Sequence, residues 1–411
     1  MRDRDLIASL MLAGLTAGAT EMFVLALIAR YQELDSTGLS SSVVYVASLV
    51  GMACMGVLGG RILALAKPSV IGVGAPVLCC AAACATYIVG PGSGDIFAAG
   101  FVSFVTALEY PNVNSTVAVL TSPRARSPAF SALQSANTLI VALAPLLGAA
   151  LIWAFGAEEA MLAITAVYAL SILPWLWIPS MPPHAQKHRM KSSPYKLLFT
   201  QSGLRGLTIS RLLNNLIYVG ILVALPVLIS QGAQNHEEFV WLLAASLAVI
   251  RLGNMLAGIV GAILLAKRPQ LIVQITYAAT LLGVPAAIAL TLVSLPVSVL
   301  FWGFIAGVGH YSCRVSGMIL GPSVTSGDRL AEVILAGDTV VRLYAATYGY
   351  CLLMALGYLD GSGLPLAIAA LLALPAPFFL REAVNAYLEQ VEASSHKGNG
   401  ARDVHNSKAT L

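Results

Sequence analysis

The feature that most constrains this chain is a succession of apolar runs, each about as long as a bilayer is thick. A hydrocarbon core of about 30 Å takes roughly 20 apolar residues in helical form. The sequence gives twelve such runs, at 6–30, 42–65, 69–91, 96–121, 128–155, 158–180, 204–231, 239–266, 269–292, 295–322, 331–358 and 363–386. None shows the period-two alternation of a barrel strand. Helices satisfy their backbone polar groups within each segment, so such a chain folds as a helical bundle. Only 10% of the 411 residues are charged, and 58% are hydrophobic. A soluble domain carries about a quarter charged residues. An ordinary soluble enzyme, a disordered chain and a nucleic-acid binder are therefore excluded. The expected class is an all-α membrane protein with twelve transmembrane helices.

The connectors set an orientation. Arg2 and Arg4 precede the first run. Lys67 follows the second, Arg124 and Arg126 the fourth, Lys187, Arg189, Lys191 and Lys196 the sixth, Lys267 and Arg268 the eighth, and Arg329 the tenth. The intervening connectors carry no Lys or Arg, with Arg30 as the exception. Basic loops collect on the cytoplasmic side. The alternation predicts a multi-pass protein of the inner (cytoplasmic) membrane with both termini in the cytoplasm. All six cysteines (Cys54, Cys79, Cys80, Cys84, Cys313 and Cys351) fall inside apolar runs. They read as packing residues rather than as disulfides or a metal site. The polar segment 389–411 reads as a disordered cytoplasmic tail.

The sequence also repeats weakly. Leu65-Ala66-Lys67-Pro68 returns as Leu265-Ala266-Lys267-Arg268-Pro269, and Ala47-Ser48-Leu49 as Ala245-Ser246-Leu247. Glu109-Tyr110 aligns with His310-Tyr311, and Asn137-Thr138 with Asp338-Thr339, all at an offset of about 200 residues. The longest internal polar stretch, 181–203, divides six runs from six. The expected organisation is a six-helix bundle over 1–180, a cytoplasmic loop over 181–203, a second six-helix bundle over 204–388 and the tail. Pseudo-symmetric halves of this kind build many secondary transporters.

At this point the chain resembles the major facilitator superfamily. Gly56-Val57-Leu58-Gly59-Gly60-Arg61 resembles its G-x-L-a-D-R signature, with Gly60 in place of the acid. Pro145-Leu146-Leu147-Gly148 resembles the core of the exporters' G-P-x-x-G-G, flanked here by Ala144 and Ala149. Gly18-Ala19-Thr20-Glu21-Met22-Phe23 is similar to the G-x-T-E-F stretch of drug and metabolite efflux members. The family's usual span-four arginine is absent. The resemblance implies alternating access between the halves, with spans one, four, seven and ten around a central cavity.

Ionisable side chains inside spans carry the chemical information. Each costs about 2.5–3.5 kcal/mol at a helix centre on insertion scales, so such groups turn to a cavity or a partner. They are Glu21, Glu109, Arg211, Arg251, His310, Arg314, Asp338 and Arg342. A carboxyl in a poorly hydrated site favours its neutral form, and histidine switches most easily near neutral pH. Glu21, Glu109, His310 and Asp338 are the candidates for proton coupling. Glu109, Tyr110, Asn112, Asn214, Asn215, Arg251, His310 and Arg314 are the candidates for substrate contact. Arg61, Asp338 and Arg342 are the gate candidates. Asp338 and Arg342, four apart on one helix, are expected to pair with each other, or to gate together with Arg314. Arg211 is expected to snorkel to an interface, and Arg251 needs a partner from another helix or an anionic substrate.

Neither a P-loop nor a catalytic constellation is present. The chain therefore reads as a carrier rather than an enzyme, with no cofactor, metal or nucleotide-hydrolysing domain. Its partners are a small-molecule substrate, protons and the lipid bilayer, and its expected working unit is a monomer. Proton antiport exporting a small polar or zwitterionic metabolite, drug or siderophore is the leading expectation. A proton-coupled importer of a siderophore or nutrient is the alternative.

Overall fold

The computed structural model describes residues 11–12, 14–120, 123–178, 194–292, 296–325 and 330–392. The first half consists of α1 (Leu15–Leu34), α2 (Leu39–Leu65), α3 (Pro68–Val89), α4 (Ser93–Leu120), α5 (Pro123–Phe155), α6 (Ala157–Leu170) and a short α7 (Leu173–Trp177). A short α8 (Pro194–Thr200) leads into the second half. That half consists of α9 (Ser202–Ser230), α10 (His236–Lys267), α11 (Ile272–Leu292), α12 (Pro296–Ser323), α13 (Leu330–Tyr358) and α14 (Leu364–Leu372). Among the described residues, ten helical stretches are long and apolar enough to cross a membrane. The two other expected spans, α1 and α12, are helices of 20 and 28 residues. They are the ones that carry Glu21 and Arg30, and His310 and Arg314. The fold is an all-α membrane bundle of the expected twelve-helix kind.

Two spans are less regular than the apolar runs suggest. The sixth breaks at Ser171–Ile172, where the Ser171 hydroxyl donates to the Tyr168 carbonyl and accepts a hydrogen bond from Thr16. The twelfth breaks after Leu372 into a 3₁₀ turn, Ala376–Leu380, because Pro375 and Pro377 cannot donate to a helical ladder. The chain then resumes as helix over 381–392. Residues 389–392 of the expected tail are therefore helical. The rest of it, 393–411, lies outside the described residues, as do 179–193 of the central loop with Lys187, Arg189 and Lys191, and Arg2, Arg4 and Arg329.

The two halves pack by one scheme. In the first, α1 lies on α5, α2 on α4, α3 on α4 and α3 on α6. In the second, α9 lies on α13, α10 on α12, α11 on α12 and α11 on α14. Each later pair is an earlier pair moved on by six spans. Small residues make the tightest of these contacts possible. Gly51 faces the Gly100 backbone between α2 and α4, and Gly253 and Gly307 face backbone between α10 and α12. Close backbone approach needs residues without side-chain bulk. A methyl at Gly307 would collide with the Ile250 carbonyl. Gly307→Ala is accordingly expected to destabilise the second half by about 1–3 kcal/mol, read as a lower unfolding midpoint of the purified chain in detergent.

The halves meet along two seams, α2 on α13 and α5 on α10. At one end of the bundle the join is also pinned by polar contacts. The Ser42 hydroxyl donates to the Val223 carbonyl at 2.7 Å, and the Ser230 hydroxyl to the Thr37 carbonyl at 2.8 Å. His236 Nε2 lies 3.4 Å from Glu33 Oε1. This end is closed.

Candidate functional site

A cavity of about 330 Å³ lies between the halves, displaced from the closed end toward Met11. Helical periodicity builds its walls. Ala17, Thr20, Glu21 and Val24 form one face of α1, with Gly14 just before its start, and Tyr45, Ser48, Leu49 and Met52 form one face of α2. Spacings of three and four place such residues together. From α4 come Ser103, Thr106, Glu109 and Asn114. Arg251 of α10, Arg314 of α12 and Arg342 of α13 complete the opposite wall.

An ion pair crosses the cavity between the halves. Arg251 Nη2 donates to Glu21 Oε1 at 2.6 Å, over a separation of 230 residues. Arg251 Nη1 donates to the Tyr218 hydroxyl at 3.0 Å. The Tyr218 ring in turn stacks on His310, with centroids 3.5 Å apart and planes at 14°. A carboxylate, a guanidinium, a phenol and an imidazole thus form one continuous chain from the first half into the second. Tyr45 stands on the same wall, 8% exposed, and its hydroxyl makes no hydrogen bond.

Glu109 lies apart from this chain. It is 4% exposed, with Thr16 and Trp175 beside its carboxyl, and its Oε1 makes no hydrogen bond. No described arginine pairs with it. A separate hydroxyl cluster lies near it, where Thr20 contacts Thr106 at 2.7 Å and Tyr168 at 2.9 Å.

Several sequence expectations change in the structure. Asp338 does not pair with Arg342 or Arg314. Arg211 reaches across from α9 and binds it at 2.5 Å, so Arg211 is paired rather than snorkelling. Arg342 instead points Nη1 at the Met52 carbonyl and the Met55 sulfur, each at 3.4 Å. The four-residue spacing allowed the Asp338–Arg342 pair, but Arg211 offered a shorter reach from the neighbouring helix. The three candidate asparagines turn to helix packing and do not line the cavity. Asn112 donates to the Pro68 carbonyl at 2.9 Å. Asn214 donates to the Ser210 carbonyl and accepts from Thr280, and Asn215 donates to the Arg211 carbonyl. Arg61 is exposed at the end of α2, with no ion-pair partner among the described residues. The Tyr110 side chain lies outside what the structure describes.

One charged cluster was hidden in the sequence. Arg30, noticed there only as an exception to the loop pattern, is 2% exposed. It lies 3.7 Å from Asp95 and 3.4 Å from Glu158, and donates to the Thr86 carbonyl at 3.3 Å. Asp95 and Glu158 belong by position to connectors. The signal was the basic residue placed one turn inside a span end opposite two acidic connectors.

Comparison with known proteins fixes the family. The model of the Major Facilitator Superfamily matches residues 6–348. The chain belongs to that superfamily. Solved structures with the same fold include a POT family transporter in complex with 5-aminolevulinic acid, with TM-score 0.75 and 12% identity over 93% of this chain and 96% of that one. A mutant of the nucleoside transporter NupG matches with TM-score 0.69 and 12% identity over 92% and 99%. A bacterial homolog to the human lysosomal transporter Spinster, described as inward-facing and unoccupied, matches with TM-score 0.66 and 14% identity over 94% and 98%. No curated protein matches the sequence at a significant level. Membership makes this superfamily member a multi-pass membrane transporter, not an enzyme.

Proposed function

We propose that this superfamily member is a secondary active transporter that exports a small polar organic molecule in exchange for protons, by alternating access between two six-helix halves. The observation that carries the reading is the Glu21–Arg251 pair, which ties the two halves together in the cavity wall. The pair exists only while Glu21 is charged. A proton on Glu21 removes the charge that holds Arg251. A bound substrate that engages Arg251 draws it from Glu21. Either event frees the halves, and each competes with the other for one lock. Such competition favours exchange, because the empty, unprotonated carrier is the one held in place. Glu109, buried on the cavity wall without a cationic partner, is the second proton carrier in this scheme.

In this reading both termini and the central loop lie in the cytoplasm of the inner membrane, as the basic connectors suggest. The repeated packing scheme supports a division into bundles at 1–180 and 204–388. The structure then represents the inward-open state, because its cavity lies toward Met11 and its closed end toward Thr37. Export is favoured by the stretches Gly18–Phe23 and Pro145–Gly148, which resemble efflux members.

The test is proton flux in vesicles reconstituted with the full chain. A substrate gradient is expected to drive opposed proton movement, lost in Glu21→Gln and reduced at least about a hundredfold in Glu109→Gln, the lower end for removing a positioned proton-transfer group. Substrate movement indifferent to a pH gradient, and unchanged in both variants, would defeat the proposal.

A further inference from the structure

The charges of the cavity do not balance. Glu21 and Arg251 neutralise one another across the gap. Arg211, outside the cavity lining, is satisfied by Asp338. Glu109 stands with Thr16 and Trp175 on the first half, away from any guanidinium. That leaves Arg314 and Arg342 on the second half's wall. Among the described residues neither has an ion-pair partner within salt-bridge distance. Arg342 offers five donors, and its contacts are one carbonyl oxygen and one thioether sulfur. Arg314 is exposed to the cavity. Both cations line the same cavity, and the carboxylate on Arg342's own helix, Asp338, is held by Arg211. Like charges in a poorly hydrated space raise the energy of the empty site, and an anion between them relieves it. The remaining walls, among them Met11, Leu49, Val113 and Leu133, are apolar.

We infer that Arg314 and Arg342 form an anion subsite, and that the transported molecule is an organic anion whose carboxylate or phosphate head sits there while an apolar body fills the space toward Met11. This deepens the proposed function and rests on the same cavity. It narrows the expected zwitterion to its acidic end: the anion enters at Arg314 and Arg342 while Glu21 still holds Arg251, and only then competes with Glu21 for Arg251. Guanidinium groups match carboxylates and phosphates geometrically, with two parallel donors to two oxygens. The cavity volume, near the lower end for small-molecule sites, suits one compact amphiphile.

The experiment reads binding without transport. The purified full chain in detergent is heated, at constant ionic strength, with benzoate, phenyl phosphate, benzamide or benzylamine. Benzoate or phenyl phosphate is expected to raise the unfolding temperature in a saturable way, and the neutral and cationic probes are not. Arg314→Gln and Arg342→Gln are each expected to raise the half-saturating concentration roughly tenfold or more, the scale of one lost hydrogen bond to a charged group. The double variant loses the effect. Arg205→Gln, on the exposed start of α9, leaves it intact. Arg314 has no described protein partner, so its substitution keeps the test alive if Arg342→Gln fails to fold, and Arg342→Lys is expected to keep part of the affinity. Equal stabilisation by benzamide, an anion effect surviving in the Arg314→Gln variant unchanged, or no saturable anion effect at all would each overturn the inference. Anion binding without proton-linked flux would leave this subsite standing and remove the antiport reading; coupled flux without anion selectivity would do the reverse.

Discussion

Replacing Arg251 with glutamine is expected to abolish coupled transport and to cost about 3 kcal/mol of stability. The substitution leaves Glu21 in the cavity wall without its counter-charge. Removing one partner of a buried pair costs about 3–5 kcal/mol because the other charge stays desolvated. The lower figure applies here, since the Arg251 and Glu21 side chains keep 26% and 22% of their surface exposed to the cavity. The same variant frees the Tyr218 hydroxyl from its donor, which loosens the stack on His310. A change of about 3 kcal/mol is roughly a hundredfold in an equilibrium. The closed end should therefore open far more often, and proton movement should continue without substrate. Glu21→Gln in the same chain is expected to recover most of the lost stability, because no unpaired charge remains. The recovery, measured as a double-mutant coupling in detergent unfolding, separates a specific pair from general damage. Equal and additive losses in the two single variants would show that the pair does not hold the halves.

Replacing Arg30 with glutamine is expected to have the largest effect on folding. Arg30 and Asp95 are 2% and 1% exposed, and Glu158 approaches the same guanidinium from α6. Without Arg30, the buried Asp95 carboxylate and the half-exposed Glu158 are left near one place with no cation. The expected loss is about 3–5 kcal/mol, read as a lower unfolding midpoint and poor recovery of folded chain. Asp95→Asn in the Arg30→Gln background should restore much of it. This cluster lies within the first half and touches neither the cavity nor the seams, so the restored double variant is expected to transport normally. A double variant that folds but has lost proton coupling would move Arg30 from scaffold to mechanism.

The architecture was readable because it depends on quantities carried by single segments. Twelve apolar runs and the alternation of basic connectors are local, and the bilayer converts them directly into helices and sides. The need of Arg251 for a distant partner was also readable, since a lone guanidinium in a span demands one. Which partner it takes was not. Glu21 lies 230 residues away, and only the packing of the two halves places it within reach. The same limit explains Asp338, where spacing along one helix suggested Arg342 and the neighbouring helix supplied Arg211. Asn112, Asn214 and Asn215 looked like cavity residues because they sit in spans four and seven. Their side chains turn into helix contacts, a matter of rotation about each axis that so apolar a sequence scarcely encodes. Tyr45 gave no sequence signal beyond one polar tip in an apolar run.

The central claim is that the halves separate at the Thr37 end when the Glu21–Arg251 lock is released. The most direct measurement is the distance between nitroxide labels at Ser36 and Gln234, exposed positions of the two halves at that end, in a chain whose native cysteines are replaced. Pulsed electron resonance in lipid is expected to give a single short distance for the unmodified lock near neutral pH. A second, longer population should appear on acidification, and should dominate in Glu21→Gln at every pH. One unchanged short distance in both chains across the whole range would contradict the account.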